Sequence, residues 1–484
     1  MRIATTAPLF AWEKLPDSPD LIALRFLLDL IPDSPLLAAL RAYRGKGRNV
    51  YPMYVLWRTH LTRYFLRHAT MEACLADLGR NAALRTIVGI ESPQGVPEAW
   101  NMSRFLEVLG RPAHLELMRQ AFEGLIRRLG EAVPDLGRDV CGDSAALSAR
   151  RHALKLVPTV SPSGARTLSL PVLGPAVARD KSAASDTNPA DQLPQPAGGR
   201  KEYKDDSGKV VKAYNWFGYK FHLLVDVKHE VVVAWHVTSA AGEGSGDSSV
   251  IPLLLERAHQ VLPEGRIKTM AYDKAADDEK THELLSEQQI KPLIQVRELW
   301  QEELERMLPQ HDGNSNVVYD EAGTIYCYDK VSPIPVKRKM AFIGHEKDRG
   351  TLKYRCPARH EDIPCPSDKH CNGDSSYGKT VRVKCETDLR RFPPIPRATA
   401  EFERRYKGRT AVERVNARLK VFWGADDGNV TGAERFHAHM ATILLVHAAM
   451  ANWLAVQPRY EGKSLSPTRM SQVAQRLHKA AASG

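Results

Sequence analysis

The chain has 484 residues, 43% of them apolar and 26% charged, with a formal net charge of +11. Such a length exceeds one ordinary hydrophobic core, so two or three domains are expected, and the apolar content is enough to fill them. The basic balance favours a polyanionic partner, nucleic acid ahead of an anionic membrane surface.

No membrane association is expected. The longest apolar stretch, from Met440 to Val456, is broken by His447 and Asn452 and falls short of the roughly 20 residues that a bilayer span needs, so it reads as a buried helix. The N-terminus lacks the basic start, apolar run and small-residue cleavage site of a secretory signal. Seven cysteines without such a signal point to a reducing, cytoplasmic setting and against a disulfide framework.

From Asp20 to about Val133 the apolar residues recur at helical spacing, as in LIALRFLLDLI, YPMYVLWRTHLTRYFL and HLELMRQAFEGLIRRL. An all-helical N-terminal domain, residues 1–135, is predicted. Arg41, Arg44, Lys46 and Arg48, with Arg58, Arg63 and Arg67 on the next helix, could grip DNA phosphates or form solvated helix faces. After an apolar stretch around Val140, residues 157–200 are dominated by Pro, Ser, Ala, Gly and Asp and read as a flexible insertion.

The pattern changes at Tyr214. FGYKFHLLVDV and EVVVAWHVT, separated by Lys228-His229, predict a β-hairpin, and SSVIPLLLERAHQVL a helix with Asp247 as its N-cap. IKTMAYD is a short buried strand, DDEKTHELLSEQ a polar helix and IKPLIQV a further strand. With the strand leading into Asp143 this α/β order resembles the ribonuclease-H-like, retroviral-integrase-like fold, its first part spanning residues 136–296.

Over residues 297–400 the helical period gives way to strand-like pieces such as NVVYD, TIYCYD and KMAFIG, so a β-rich insertion is predicted. Cys356, Cys365, Cys371 and Cys385 lie in it and could close a structural zinc site, although no C-x2-C pair is present and unliganded thiols are the alternative. Trp300 could stack on an unpaired base or sit in the core. The α/β part resumes over residues 401–484 with a helix near Glu403 to Phe422 and the apolar helix from Phe436 onward.

That first helix carries the most informative pattern. At about 100° per residue, Tyr406, Arg409, Glu413 and Lys420 share a narrow stripe, while Val412, Val415, Leu419 and Phe422 face the other way. A tyrosine, two cations and a carboxylate on one face suit a phosphate held beside a metal ligand. The spacing Tyr-x2-Arg-x3-Glu-x6-Lys resembles the signature of a large superfamily of DDE transposases of bacterial insertion sequences. The stretches GRNVYPMYVLWRTHLTRYF and VPEAWNMSRFLEVLG resemble the helical domain before such cores, and GYKFHLLVD, YDKAADD and RTAVERVNARLK their successive motifs.

The resemblance implies a catalytic triad. Asp143 follows the first strand, with Asp139 as the fallback; Asp273 ends MAYD, with Asp277 and Asp278 read as the acidic start of the next helix; Glu413 is third. Three carboxylates imply two Mg²⁺ or Mn²⁺ ions for in-line phosphoryl transfer. The implied activity is transposition, with cleavage at terminal inverted repeats and strand transfer into target double-stranded DNA by a homodimer. Tyr406, Arg409 and Lys420 would contact backbone phosphates. A domesticated DNA-binding protein and a structure-selective nuclease of the same fold are the rival readings.

Overall fold

A computed structural model describes residues 19–46, 50–150, 157–160, 166–169, 193–204, 209–242, 244–301, 304–308, 316–427, 430–456 and 463–468. Most of the stretch from Ser161 to Gln195, expected above to be flexible, lies outside the described residues, as does Arg48.

The N-terminal region is helical, as its periodicity predicts: α1 Pro19–Leu30, α2 Ser34–Arg44, α3 Met53–Phe65, α4 Met71–Arg80, α5 Ala82–Val88, α6 Ala99–Leu109 and α7 Pro112–Ala132. Local chemistry sets their ends. Thr70 caps α4 by accepting from the Ala73 amide, Asn81 caps α5 by accepting from Leu84, and Gly89, at φ 91°, stops α5. Several of the arginines that could grip phosphates have other partners. Arg63 is buried, Arg58 pairs with Asp29 at 2.7 Å, and Arg67 lies over Phe422.

The mixed sheet follows. β1 (Asp139–Ser148) is succeeded by the hairpin β2 (Val157–Val160) and β3 (Arg166–Ser169), then by β4 (Ala197–Lys204), β5 (Val210–Asp226), β6 (Val232–Ser239), α8 (Asp247–Val261), β7 (Thr269–Tyr272), α9 (Glu279–Glu287) and β8 (Lys291–Ile294). The order is β4-β5-β1-β7-β8, with β6 on the free side of β5; β1 is antiparallel to β5 and parallel to β7, which is parallel to β8. The polar stretch AGGRKEYK has no strand-like alternation, yet it forms β4 by pairing with the first half of the long β5. The flexible reading of residues 157–200 therefore fails at its end, where β5 supplies the hydrogen-bond partners.

The insertion holds a four-stranded sheet, β9 (Glu305–Met307), β10 (Val317–Asp320), β11 (Ile325–Tyr328) and β12 (Lys337–Lys339). A three-stranded sheet, β13 (Ala341–Glu346), β14 (Thr351–Arg355) and β15 (Thr380–Lys384), follows it, with the short helices α10 (Pro357–Glu361) and α11 (Asp368–Asn372). The two sheets share their own buried cluster around Tyr319, Ile325, Leu352, Tyr354 and Phe392. Trp300 packs against Tyr319 between the guanidinium groups of Arg306 and Arg391, at 4.2 and 4.8 Å. Its ring is thus occupied by packing, in line with the core alternative.

The chain then returns as α12 (Ala400–Tyr406), a 3₁₀ turn, α13 (Thr410–Trp423) and α14 (Ala433–Ala455). The last is long and apolar enough to cross a membrane, but 94% of its most apolar window is buried inside the protein. It packs on α3, α6, α7 and β6 and belongs to one continuous core with the N-terminal helices and the mixed sheet. Three of its polar side chains are matched across the core: Thr442 with His60 (3.0 Å), His439 with the Tyr64 hydroxyl (2.7 Å), and Asn452 donating to the Leu125 carbonyl (2.9 Å). Gly110 closes α6 against the start of α14, where a Cβ would fall 1.9 Å from the Glu434 carbonyl oxygen.

Candidate active site

The register between β1 and β7 pairs Cys141 with Ala271. Two residues further along each strand stand Asp143 and Asp273. Side chains two apart share a face and neighbouring strands lie about 4.8 Å apart, so these carboxylates come side by side although 130 residues separate them. Gly142 makes room behind them, since a Cβ there would lie 2.1 Å from the buried ring of Tyr272. Asp273 ends its strand by accepting from the Ala275 amide at 2.9 Å, which starts the turn Lys274–Ala276.

The two charges are poorly compensated. Burial, and then the charge of Asp273, push the Asp143 carboxyl up to about 6, against smaller opposing effects of the Ser144 amide and Arg409. Asp247 adds to the same field. It is not the N-cap expected from sequence: Gly246 takes that position and Asp247 makes no capping bond. Its Oδ1 is buried without a hydrogen bond, 3.5 Å from Nδ1 of His222, whose ring burial holds neutral by pushing its pKa down to about 4. The Tyr272 hydroxyl is likewise buried and unpartnered; burial and then Asp247, Asp143 and Asp273 hold its pKa well above the usual range. Nothing local in SGDSSV separated Asp247 from an ordinary helix start.

The stripe on α12 and α13 faces this acidic patch. The turn between the two helices, Lys407–Arg409, is 3₁₀, so residues three apart eclipse and Tyr406 lies over Arg409. Phe402 stacks on Tyr406 with ring centroids 5.5 Å apart. Burial raises the Tyr406 hydroxyl's pKa, and Arg409 opposes the rise. Glu413, 50% exposed, accepts from Nη2 of Arg409 at 2.5 Å. Val412, Val415 and Leu419 are buried, but the inward face closes on Trp423, while Phe422 is only half-buried. Lys420 reaches β1, donating to the Ala146 carbonyl at 2.8 Å and lying 3.8 Å from Asp426.

The remaining candidates stand elsewhere. Asp139, the first residue of β1, accepts from the Thr269 hydroxyl at 2.5 Å. Asp278 is a helix cap, accepting from the Thr281 amide. Asp277 is not simply a residue of the helix start. It is buried and bound by His282 (3.0 Å), Arg390 (2.7 Å), Arg397 (3.1 Å) and the Arg297 amide (2.6 Å). Burial alone would raise its pKa, but these donors hold it far below the usual carboxylate range. Cys356, Cys365 and Cys371 line one small pocket; Cys385 lines a different cavity. Among the described residues no three His, Cys, Asp or Glu side chains converge closely enough to hold a metal ion as they stand. Asp143 and Asp273 are together, whereas Glu413 is engaged by Arg409.

Residues 191–448 match the family described as Transposase DDE domain, and residues 12–107 match Transposase domain (DUF772). No curated protein matches the chain. The first match takes in Asp273 and the stripe from Tyr406 to Lys420 and begins after Asp143, six residues before β4. It covers just over half of the 484 residues, and the second places a transposase domain on the helices before it: the chain belongs to the DDE transposase family, of the insertion-sequence kind.

Proposed function

We propose that this transposase cuts DNA at the terminal inverted repeats of its element and joins the freed ends to target DNA, using Asp143, Asp273 and Glu413 on a ribonuclease-H-like core. The observation that carries the reading is the pair of carboxylates on adjacent parallel strands, with one raised to about 6 by burial and by the other. The strand order supports the fold assignment, with β5 antiparallel to β1, and β7 and β8 parallel to it. We assign end recognition to the helices of residues 1–135, the β-rich insertion to residues 297–400, and pairing of two ends to a homodimer on DNA.

DDE transposases generally use divalent metal ions such as Mg²⁺. The donor set fits such ions, because crowded carboxylates and the orphaned Asp247 oxygen leave negative charge that a cation offsets. Asp143 and Asp273 would hold two ions together with Glu413. Once bound, the ions supply charge at the attacking and leaving oxygens of an in-line phosphoryl transfer.

The chain's own residues prepare that step. The i,i+4 pair of Arg409 with the half-exposed Glu413 contributes only about 0.3–0.5 kcal/mol. A charge-assisted, bidentate bond to a backbone phosphate is worth about 1.5–3 kcal/mol, so incoming DNA takes Arg409 and releases Glu413 toward the aspartates. Tyr406 steadies the guanidinium from the turn above. Lys420 holds α13 against the strand of Asp143 and keeps enough exposure, 31%, to meet a second phosphate.

The test uses a labelled terminal fragment and a target duplex in Mg²⁺. Asp143→Asn, Asp273→Asn and Glu413→Gln are each expected to bind the end and neither cut nor join it. Full cleavage by any one removes that residue from the triad. Cleavage without joining by the natural chain identifies a structure-selective nuclease, and end binding alone a domesticated DNA-binding protein.

A further inference from the structure

We infer that Cys327, Cys356, Cys365 and Cys371 hold one structural zinc ion that fastens the two sheets of the insertion to each other. The set differs from the one suggested by sequence, which took Cys385 and left out Cys327. The geometry of β14 decides between them. Cys356 follows its last residue and donates its amide to the Lys379 carbonyl before β15, whereas Cys385 lies beyond its first residue, donating to Gly350. Five residues of strand, roughly 17 Å, separate the two ends, too far for one tetrahedral ion with bonds of about 2.3 Å.

Cys327 comes instead from the neighbouring sheet, on β11. It lines a small pocket of about 20 Å³ together with Cys356, Cys365 and Cys371, room for one water-sized occupant. His360 and His370 are exposed and stay outside that pocket, so the donors are thiols alone. The three other cysteines act electrostatically on Cys327, and Cys356 and Cys365 act on Cys371, so all four share one field. Binding sends four thiol protons to solvent and leaves the site with a net charge of about −2. Arg338, Lys330 and Lys379, whose fields reach these sulfurs, offset it. Asn372 donates to the Cys356 sulfur at 3.5 Å, the orienting contact that metal thiolates receive. Since no three donors among the described residues yet converge, the thiols close on the ion by rotation about single bonds.

The need for such a clamp is visible in the strands. β9 to β12 are three or four residues long, and the buried cluster beneath them is small. Segments with so little core are held by a metal or by disulfides, and all seven cysteines here are free.

The experiment is elemental analysis of the full chain, purified without a metal-affinity step and passed through mild chelator. About one zinc per chain is expected for the natural sequence and for Cys385→Ser, falling to below about a tenth in Cys327→Ser and Cys365→Ser. If those two serine variants precipitate, the natural chain and Cys385→Ser are exchanged into Co²⁺, where four thiolates produce a strong sulfur-to-cobalt absorption band that both should show equally. Absence of zinc from the natural chain overturns the inference. So does full zinc in Cys327→Ser, loss of zinc in Cys385→Ser, or a cobalt spectrum without the thiolate band.

Discussion

Burial and Asp273 hold the carboxyl of Asp143 protonated up to about pH 6, against an unperturbed value of 3.8. A folded-state pKa above the unfolded one means that the group's favourable contribution to folding is complete below about pH 4 and is lost as pH rises through about 6. In metal-free protein at pH 8, Asp143→Asn is therefore expected to melt higher than the natural chain, with the difference gone at pH 4. Added Mg²⁺ should raise the melting temperature of the natural chain and leave Asp143→Asn unmoved; thermal denaturation with and without chelator reads both. At Arg409, replacement by Ala should weaken binding to the transposon end and lower its salt dependence by about one phosphate contact, while stability changes by less than about 0.5 kcal/mol. A salt titration beside Glu413→Gln, which keeps the normal slope, checks this. Unchanged slope and unchanged cleavage in Arg409→Ala would reduce the stripe to a solvated helix face. The stripe was legible because its members lie within fifteen consecutive residues, although a 3₁₀ turn divides the predicted helix into α12 and α13. Asp247 was not, since its nearness to Asp143 is made by the docking of α8 on the sheet, which leaves no local periodicity.

The insertion meets the mixed sheet at Asp277, where one buried carboxylate receives two guanidinium groups and an imidazole. Removing it leaves Arg390 and Arg397, at 12% and 7% side-chain exposure, without their counter-charge. Asp277→Ala should cost about 3–5 kcal/mol at that junction. The expected readout is faster proteolysis near Arg297 and Arg390 and an earlier melting step, with Asp278→Ala, which loses one cap, costing only about 1 kcal/mol. Equal effects of the two would mean that Asp277 is an ordinary helix-start residue. Sequence could not separate these neighbours. Both precede the same helix, and the partner Arg390 stands 113 residues downstream. The strands themselves were readable where they are buried, as in β6, β7 and the second half of β5. Where pairing with an existing edge decides, as in β4, composition pointed the other way.

Across the molecule, one continuous core joins the N-terminal helices to the mixed sheet through α14, so the helical segment of residues 1–135 is expected to depend on the rest for folding. Expressed alone, it should show little cooperative unfolding, and Asn452→Leu in the full chain should destabilise both parts together by leaving the Leu125 carbonyl without its side-chain donor. Circular dichroism melts of both proteins check this; a sharp transition in the isolated segment would contradict it. The order in which the chain is synthesised gives α14 a second consequence. The helices that it covers, α1, α3, α6 and α7, leave the ribosome about 300 residues or more before it does, and until then their inward faces lack that cover. A message cut short after Glu413 would encode every acidic residue assigned to catalysis, yet its product would expose this apolar surface and go to proteases. A chain ending there is therefore expected to aggregate or be degraded, and the shared core closes only in chains that have been read to the end of α14.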